Sequence, residues 1–152
     1  MNKNREVAEL LSKIGELLEL KGENPFKIKA YIKAARAIEN LHADAGDIVT
    51  KNDLKAIPGI GVAISEKIDE YLRTGKLEYY DKLSNEIPHG LKELLEVSGI
   101  GPKTIQLIYQ GLGAADIDSL EKTAKAHNIR GLPGFGETKE ENIIRAIERI
   151  TP

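Results

Sequence analysis

The stretch Ala56–Ile68, AIPGIGVAISEKI, decides the fold, because its pattern occurs twice more along the chain. The second copy, EVSGIGPKTIQLI, ends at Ile108, and the third, GLPGFGETKEENI, ends at Ile143. Each copy has a glycine, one apolar residue and a second glycine, and an isoleucine stands seven positions after the second glycine. Segments with helical periodicity flank every copy. The repeat therefore predicts three pairs of helices, each pair joined by a glycine hairpin.

The composition excludes several kinds of site. The chain has 152 residues, enough for one medium domain or two small ones. It contains no cysteine, which excludes disulfides, thiolate metal sites and cysteine nucleophiles. Its 3 histidines are scattered, so no histidine metal site is expected. A net charge of −2 is unlike a strongly basic DNA coat, although backbone N–H groups bind phosphate without net positive charge.

Two amphipathic helices are predicted before the first hairpin. Apolar residues recur at helical spacing from Val7 to Leu18, and Gly22 is expected to end that helix. Asn24 is the predicted cap of the second helix, and Pro25 occupies its first position. The apolar stripe of the second helix comprises Tyr31, Ala34, Ala35, Ile38 and Leu41, and its polar side carries Lys29, Lys33 and Arg36.

The rest of the chain gives no sign of strands or membrane spans. No segment alternates like a half-buried strand, and none stays apolar for the ~20 residues that a membrane span needs. A short connection at 42–53 is expected to lead to the next helix, with Thr50 or Asn52 as its cap. No signal peptide opens the chain. The sequence predicts a soluble, cytoplasmic, all-α protein without a membrane partner.

The glycine hairpins predict a small anion-binding site. A helix N-terminus offers unpaired N–H groups and about half an elementary charge, and a glycine turn removes side chains that would keep a phosphate away. Such a site binds backbone phosphates and reads no bases. The alternative is a tight helix corner whose glycines serve only the turn. The glycine pairs are Gly59 and Gly61, Gly99 and Gly101, and Gly134 and Gly136, and the residues between them, Ile60, Ile100 and Phe135, are expected to point inward.

The third hairpin is the copy for which the architectural alternative is strongest. The helix that follows it carries Glu137, Glu140 and Glu141 near its start. These carboxylates suit the helix dipole but would repel a phosphate. Arg130 and Lys139 flank this hairpin as candidate phosphate contacts.

The hairpin motifs resemble those of helix-hairpin-helix proteins and, more closely, of the family X (DNA polymerase beta-like) DNA polymerases. The stretch Ile57–Leu77, IPGIGVAISEKIDEYLRTGKL, is similar to the hairpin and the lysine-bearing helix of that family's N-terminal lyase domain. VSGIGPKTIQLIYQGLG resembles the family's second hairpin, and LPGFGETKEENI resembles the extra hairpin of prokaryotic members. The resemblance implies tandem helix-hairpin-helix units in two parts: a four-helix lyase-like domain at 1–85 and a helical DNA-binding subdomain at 86–152.

The resemblance also implies a function and partners. In the family, the first domain grips the 5′ side of a DNA gap and the second grips the duplex on the primer side. We therefore expect a nucleoid-associated monomer that binds gapped or nicked DNA in base excision repair. The metal-binding carboxylates of a polymerase palm are absent, and Asp116 with Asp118 is interpreted as a helix-capping pair. Polymerisation would need a palm in the same or another chain. A module that packs only against other proteins is a further hypothesis.

Lys67 is the candidate nucleophile of an alternative, enzymatic function. The equivalent positions of the other copies hold Leu107 and Asn142, so the hairpin does not require a lysine there. By the resemblance, Lys67 would form a Schiff base with an abasic sugar and eliminate 5′-deoxyribose phosphate. Such a lysine needs its pKa lowered from ~10.4 toward ~7–8. A salt-bridged helix lysine is the simpler interpretation. Nearby acids are Glu66, Asp69 and Glu70, and the candidate cations are Lys27, Lys29, Lys33 and Lys55.

The resemblance assigns further roles around Lys67. Glu66 matches the acid beside the nucleophile, Tyr31 matches a sugar-site position, and Lys27 matches a phosphate-binding position. Lys55 matches a further lysine of the family. Three departures from the eukaryotic pattern weaken phosphate capture, because a histidine and two lysines are replaced by Phe26, Ala63 and Tyr79, respectively.

The second hairpin and the hairpin carbonyls complete the set of candidates. Lys103 and Thr104 follow the second hairpin and are candidate phosphate contacts. Tyr79 and Tyr80 are interpreted as helix-packing residues, with stacking on a DNA base as the alternative. Hairpins of this type hold K⁺ or Na⁺ on backbone carbonyls in the family, and no other cofactor is expected. The candidate carbonyls are those of Lys55, Ile57 and Ile60 and those of Leu95, Val97 and Ile100.

Overall fold

A computed structural model describes residues 3–42 and 51–150, except for the side chains of Lys51 and Asn52, and every element in these ranges is helical. Contacts divide the chain into two units. The first runs to Glu86 without Leu20–Gly22, and the second contains Leu20–Gly22 and the chain from Ile87 onward. The predicted all-α class with tandem hairpins is confirmed. No helix in the described ranges has the length and apolar character to cross a membrane.

The described residues of the first unit form five helices. They are α1 (Asn4–Lys21), α2 (Pro25–Glu39), α3 (Lys51–Lys55), α4 (Val62–Thr74) and α5 (Glu78–Glu86). Asn24 caps α2 as predicted, because its side-chain oxygen accepts the N–H of Phe26 at 2.8 Å. The apolar stripes form the core, with Val7, Ile14, Ala34 and Ile38 fully buried.

One predicted helix cap is wrong and another lies outside the described residues. Helix α3 begins at Lys51, so Asn52 lies inside the helix instead of capping it. Thr50, the other candidate, and most of the connection at 42–53 fall outside the described part of the chain.

The hairpin turns share one geometry. In the first, the carbonyl of Ile57 accepts the N–H of Ile60 at 3.1 Å, and Gly59 between them has φ of 97°. A positive φ at the third residue of a four-residue turn is the mark of type II and favours glycine. The second and third hairpins repeat this hydrogen bond, with φ of 96° at Gly99 and 80° at Gly134. The first glycine of each pair is therefore required by the turn itself.

The second unit contains the other two hairpins. Its helices are α6 (His89–Leu94), α7 (Pro102–Leu112), α8 (Ile117–Lys125) and α9 (Glu137–Ile150), with a 3₁₀ turn at Ile129–Gly131. Asp116 caps α8 in a reciprocal arrangement with Ser119, which confirms the capping interpretation for Asp116. Asp118 lies in the first turn of α8 and is not the partner in this cap. The isoleucine that ends each repeat is buried, as its shared position predicts, at Ile68, Ile108 and Ile143.

The helix before the third hairpin ends earlier than its sequence pattern predicts. Helix α8 stops at Lys125, whereas helical periodicity continues to Ile129. The N–H of His127 bonds to the carbonyl of Ala124, and the N–H of Asn128 bonds to that of Thr123. This is a Schellman ending, in which His127 adopts φ of 64° at a position that glycine usually occupies. The absence of a glycine hides the end of this helix in the sequence.

Two apolar residues of the repeat, Phe135 and Leu107, are partly exposed. Ile60 and Ile100 point inward as predicted, but Phe135 is only half-buried, and the ammonium of Lys139 lies 5.2 Å from its ring centroid. Leu107, at the position equivalent to Lys67, is 38% exposed. The position that Lys67 occupies in the first copy therefore faces solvent in the second.

Candidate functional site

A pocket of about 520 Å³ lies beside Lys67 in the first unit. Helix α2 contributes Lys27 and Tyr31, the start of α4 contributes Val62 and Lys67, and α5 contributes Tyr79. The two lysines are the charged residues of a lining that is otherwise largely apolar. Three segments that are distant in sequence thus meet at one site, and they bring together four of the residues singled out in the sequence, Lys27, Tyr31, Lys67 and Tyr79.

The ring of Tyr79 is the point at which these side chains converge. The ammonium of Lys67 lies 4.6 Å from its centroid and that of Lys27 lies 5.7 Å away, both within cation–π range. The ring of Tyr31 is stacked parallel to it, with the centroids 6.2 Å apart and an interplanar angle of 5°. Burial raises the pKa of Tyr31, and the neighbouring Tyr79 raises it further, so the Tyr31 phenol stays neutral. Tyr79 packs against the protein, as expected of a helix-packing residue.

An acidic groove adjoins the pocket on the other side of Lys67. Its volume is about 380 Å³, and it is lined by Glu66, Glu70, Glu78 and Lys82, together with Lys67 and Tyr79. The carboxylate of Glu70 accepts the N–H of Glu78 at 2.9 Å and so supports the start of α5. Lys67 therefore lies between a largely apolar pocket and a carboxylate-rich groove.

The other acid near Lys67 and two of the candidate cations are placed away from this pocket. Asp69 pairs with Arg73 at 3.0 Å along α4. Lys29 and Lys55 are exposed and do not line the pocket. Of the four candidate cations, Lys27 lines the pocket, and Lys33 packs beside Gly59 at its edge.

The first two hairpins leave open space at their second glycines. A Cβ added at Gly61 or Gly101 would meet no atom within 4 Å. Each of these glycines caps a helix without a side-chain hydrogen bond, so the first-turn N–H groups of α4 and α7 remain free of a capping side chain. In α7 these groups begin at Lys103, because Pro102 has no N–H. A phosphate oxygen therefore has room to approach both helix ends.

Cationic side chains stand near both open hairpins. The stem of Lys33 packs beside Gly59, since a Cβ built there would lie 3.5 Å from the Lys33 Cγ. Lys103 is exposed in the first turn of α7, and Thr104 beside it is half-buried. Two hairpins thus combine free helix N–H groups with a lysine.

The third hairpin differs from the first two because its charged side chains bind one another and the hairpin backbone. Glu140 is fully buried and accepts the backbone N–H of Arg130 at 2.9 Å and its Nε at 2.8 Å, while the His127 ring contacts it at 2.9 Å. Lys139 donates to the carbonyl of Gly134 at 3.0 Å. Glu140 stands near the start of α9 as its sequence position indicates, but these partners draw it into the core. Arg130 and Lys139 are both engaged within the hairpin.

Hydrogen bonding decides the ionisation of Glu140. Burial on its own would raise the pKa of this carboxyl group. The hydrogen bonds from His127 and Arg130, with the positive charge of Arg130, outweigh burial and hold the pKa below its ordinary value of 4.5. Glu140 is therefore a carboxylate at neutral pH.

Comparison with known proteins identifies the hairpins. Residues 2–77, half of the chain, match the family described as "Helix-hairpin-helix domain", and residues 91–149 match a "SAM-like Helix-hairpin-helix tandem". The chain belongs to the helix-hairpin-helix family. The two matches contain all three hairpins, so the repeat noted in the sequence corresponds to this motif of the family.

Relatives of this helix-hairpin-helix chain include two family X polymerases. It is 37% identical over 143 residues to the DNA polymerase/3′-5′ exonuclease PolX of Bacillus subtilis (strain 168), covering 94% of the chain and 25% of PolX. It is 28% identical to the DNA polymerase lambda of Rattus norvegicus, covering 71% of the chain and 18% of that polymerase. The chain thus spans a quarter or less of these polymerases, and the resemblance to family X is confirmed.

A third relative is a protein of a different kind. The Holliday junction branch migration complex subunit RuvA of Acidovorax ebreus (strain TPSY) is 24% identical over 97 residues, covering 64% of the chain and 51% of that protein. Helix-hairpin-helix sequences similar to this one therefore occur in proteins of more than one kind.

The predicted cation ligands of the helix-hairpin-helix turns are backbone carbonyls, and their chemistry fits K⁺ or Na⁺. The carbonyls of Ile57 and Val97 each accept one turn hydrogen bond, at 3.1 and 3.3 Å, and each keeps a second lone pair. Among the described residues, no group of three or more acidic or histidine side chains is placed to hold a metal ion.

Sequence reasoning missed the roles of Tyr79 and Glu140. Nothing local to Tyr79 indicates its contacts, because they require α5 to fold back toward α2 and α4. A signal for Glu140 was present, since it precedes the buried Ile143 and Ile147 by three and seven positions on one helical face. A carboxylate on an apolar face predicts a buried partner.

Proposed function

We propose that this chain binds gapped or nicked DNA through backbone phosphate contacts at its first two hairpins. The helix-hairpin-helix matches and the two polymerase relatives support DNA binding in repair. The observation that carries the proposal is the open space at Gly61 and Gly101, at the uncapped starts of α4 and α7. Each unit contributes one such hairpin, so the protein has two binding sites for the backbone of a DNA in which a gap or nick interrupts the duplex.

The charge of the protein sets the expected strength and salt response. With a net charge of −2, long-range attraction to DNA is weak, so affinity depends on local N–H and lysine contacts. Contact with two to four phosphates gives a slope of log K against log salt of about −2 to −4. Absence of binding to gapped duplex at low salt would favour a protein-interaction module.

Closing the open space at the hairpins tests this proposal. We expect Gly61→Ala and Gly101→Ala each to weaken binding to a one-nucleotide-gapped duplex by about tenfold, because a methyl group then obstructs the phosphate. Fluorescence anisotropy on gapped, nicked and intact duplexes measures affinity and structure preference together.

Gly136→Ala is the matched control for this experiment. Gly136 holds the same position in the third hairpin, and a Cβ there also meets no atom within 4 Å. The Gly136→Ala substitution should leave the affinity for gapped duplex within about twofold of wild type, because Lys139 and Arg130 are engaged inside that hairpin. Equal losses from all three substitutions would contradict phosphate binding at the first two hairpins.

We further propose that the carbonyls of the first two hairpins hold a monovalent cation that supports DNA binding. Replacing K⁺ by tetramethylammonium at constant ionic strength should weaken binding by at least about threefold, because the larger ion cannot enter a ring of carbonyls. The same anisotropy titration measures it, with thermal unfolding as the check that the fold is unchanged. Equal affinities in the two salts would remove the cation from the mechanism.

A second function, 5′-deoxyribose-phosphate lyase activity, is favoured by the position of Lys67 beside Lys27 and Tyr79. The neutral amine of Lys67 would attack the C1′ aldehyde of an abasic sugar, and loss of water would give the imine. Removal of a C2′ proton, for which Glu66 is the nearest candidate in sequence, would then break the C3′–O bond and release the 3′-phosphate. Hydrolysis of the remaining imine would return Lys67. Lys27 would hold the 5′-phosphate of the same sugar.

A further inference from the structure

We propose that Tyr79 is a positioning residue that holds the amine of Lys67 on the pocket side of α4, facing an abasic sugar whose phosphate lies at Lys27. This inference rests on the lyase activity proposed above and gives it a residue that the family resemblance does not supply. Tyr79 stands where the eukaryotic pattern has a lysine, so its role is particular to a site of this composition.

The geometry gives Tyr79 a fixed orientation. Its ring is parallel to that of Tyr31, which is 3% exposed and anchored in the core of the first unit. Stacked aromatic pairs resist rotation because both rings would lose contact area. The ring therefore offers a defined surface to the two ammonium groups at 4.6 and 5.7 Å.

Lys67 has two alternative environments. It lines the pocket that contains Lys27, and it also lines the groove that contains the carboxylates of Glu66 and Glu70. An ammonium that pairs with a carboxylate stays protonated and is not a nucleophile. Contact with an aromatic ring attracts the ammonium by about 0.5 to 1 kcal/mol at an exposed site, which favours a position of the amine beside the pocket. The Tyr79 ring lines both cavities and thus competes with these carboxylates for the Lys67 ammonium at the boundary with the pocket.

The contact of both lysines with the Tyr79 ring also limits the size of the ligand that can bind both of them. Lys27 and Lys67 flank Tyr79, so a phosphate at Lys27 and a carbonyl carbon at Lys67 must belong to one small molecule or one nucleotide unit. The remaining walls are apolar, with Ala30, Val62 and Ile64, and suit the carbon face of a sugar without its base. This arrangement is compatible with the substrate of the lyase proposed above, an abasic sugar with its 5′-phosphate.

Variants of Tyr79 that remove or keep the aromatic ring distinguish a role in positioning Lys67 from a role in packing alone. The assay is the single-turnover rate at which the borohydride-trapped adduct forms on saturating 5′-incised abasic DNA. In Tyr79→Leu this rate should fall about tenfold. The half-saturating DNA concentration should stay within about twofold of wild type. Tyr79→Phe keeps the ring and should keep the rate within about twofold. Tyr80→Leu, at the adjacent half-buried tyrosine, is the matched control and should behave as wild type. Tyr79→Gln is a second ringless variant in case the leucine variant does not fold.

A measurement without DNA makes the inference independent of the lyase activity. Reductive methylation with formaldehyde and borane, followed by peptide mass spectrometry, reports the reactivity of Lys67 relative to Lys33 in the free protein. The ratio should fall about threefold or more in Tyr79→Leu and remain unchanged in Tyr79→Phe.

The outcomes decide between the two proposals. An unchanged methylation ratio in both ringless variants would overturn the role of Tyr79. So would a ringless variant that forms adduct at the wild-type rate, or one that loses only DNA affinity. If wild-type protein forms no adduct at all, the lyase proposal fails, while a reduced methylation ratio in Tyr79→Leu still supports the positioning of Lys67.

Discussion

Lys67→Ala is expected to abolish the borohydride-trapped adduct on 5′-incised abasic DNA, a loss of at least about 100-fold. The chemistry requires a primary amine at the C1′ aldehyde, and Lys67 is the lysine that reaches the pocket from α4 beside the Tyr79 ring. Lys27, the other pocket lysine, is assigned to the phosphate and approaches the same ring from a greater distance, 5.7 Å. The adduct is quantified by denaturing gel electrophoresis and its site by peptide mass spectrometry.

Lys82→Ala is the matched control for the nucleophile. Lys82 lines the acidic groove next to Lys67 and pairs with Glu78 at 3.5 Å, but it does not line the pocket. Its removal takes away one positive charge, as Lys67→Ala does, and should leave the adduct within about twofold of wild type. An undiminished adduct in Lys67→Ala would place the nucleophile elsewhere. An adduct absent from wild type and variant alike would leave DNA binding as the function.

Glu140→Gln is expected to lower the free energy of unfolding of the second unit by about 3 kcal/mol. The substitution keeps the shape but removes the charge that Arg130 faces, and breaking a buried ion pair by neutralising one partner costs about 3 to 5 kcal/mol. Partial exposure of Arg130 places the effect at the lower end of that range. Hydrogen exchange of the α8 and α9 amides, and urea unfolding, measure the loss.

The effect of Glu140 should depend on pH in a defined direction. Its pKa is below 4.5 in the folded protein, so the unfolded chain binds the proton more readily. The stabilisation is therefore fully present above pH 4.5 and is lost as the pH falls through the lower, folded-state pKa. The difference between wild type and Glu140→Gln should shrink below pH 4.5.

Glu141→Gln controls for the change of charge. Glu141 is the next residue on α9, is exposed, and pairs with Arg145 on the surface at 3.4 Å. Surface pairs contribute about 0 to 1 kcal/mol, so this variant should unfold close to wild type. If Glu140→Gln and Glu141→Gln had equal effects, the buried network would have no special role in the second unit.

Much of the fold follows from local patterns that the sequence displays. Capping by Asn24 and Asp116 depends on hydrogen bonds within three residues, and the glycine turns depend on one positive φ. The buried isoleucines follow from helical period. These features are set by neighbours along the chain, so a single sequence is enough to predict them.

The features that the sequence did not predict depend on contacts between separate segments. Glu140 is buried because Arg130, ten residues earlier, reaches it, and Tyr79 meets Lys67 only after α5 packs near α4. The early end of α8 rests on a left-handed His127, a conformation that histidine adopts less readily than glycine. In each case the local preference was outweighed by a tertiary partner.

The two glycines of each of the first two hairpins are constrained for different reasons. Gly59 and Gly99 hold a backbone conformation that side chains rarely adopt, so folding alone keeps them as glycine. Gly61 and Gly101 have no such constraint, since a larger residue would find empty space around it. In a lineage that had lost its DNA ligand, mutational drift would therefore erase the second glycine and preserve the first. The first glycine of the motif thus reports on the fold, and the second reports on the proposed binding of DNA.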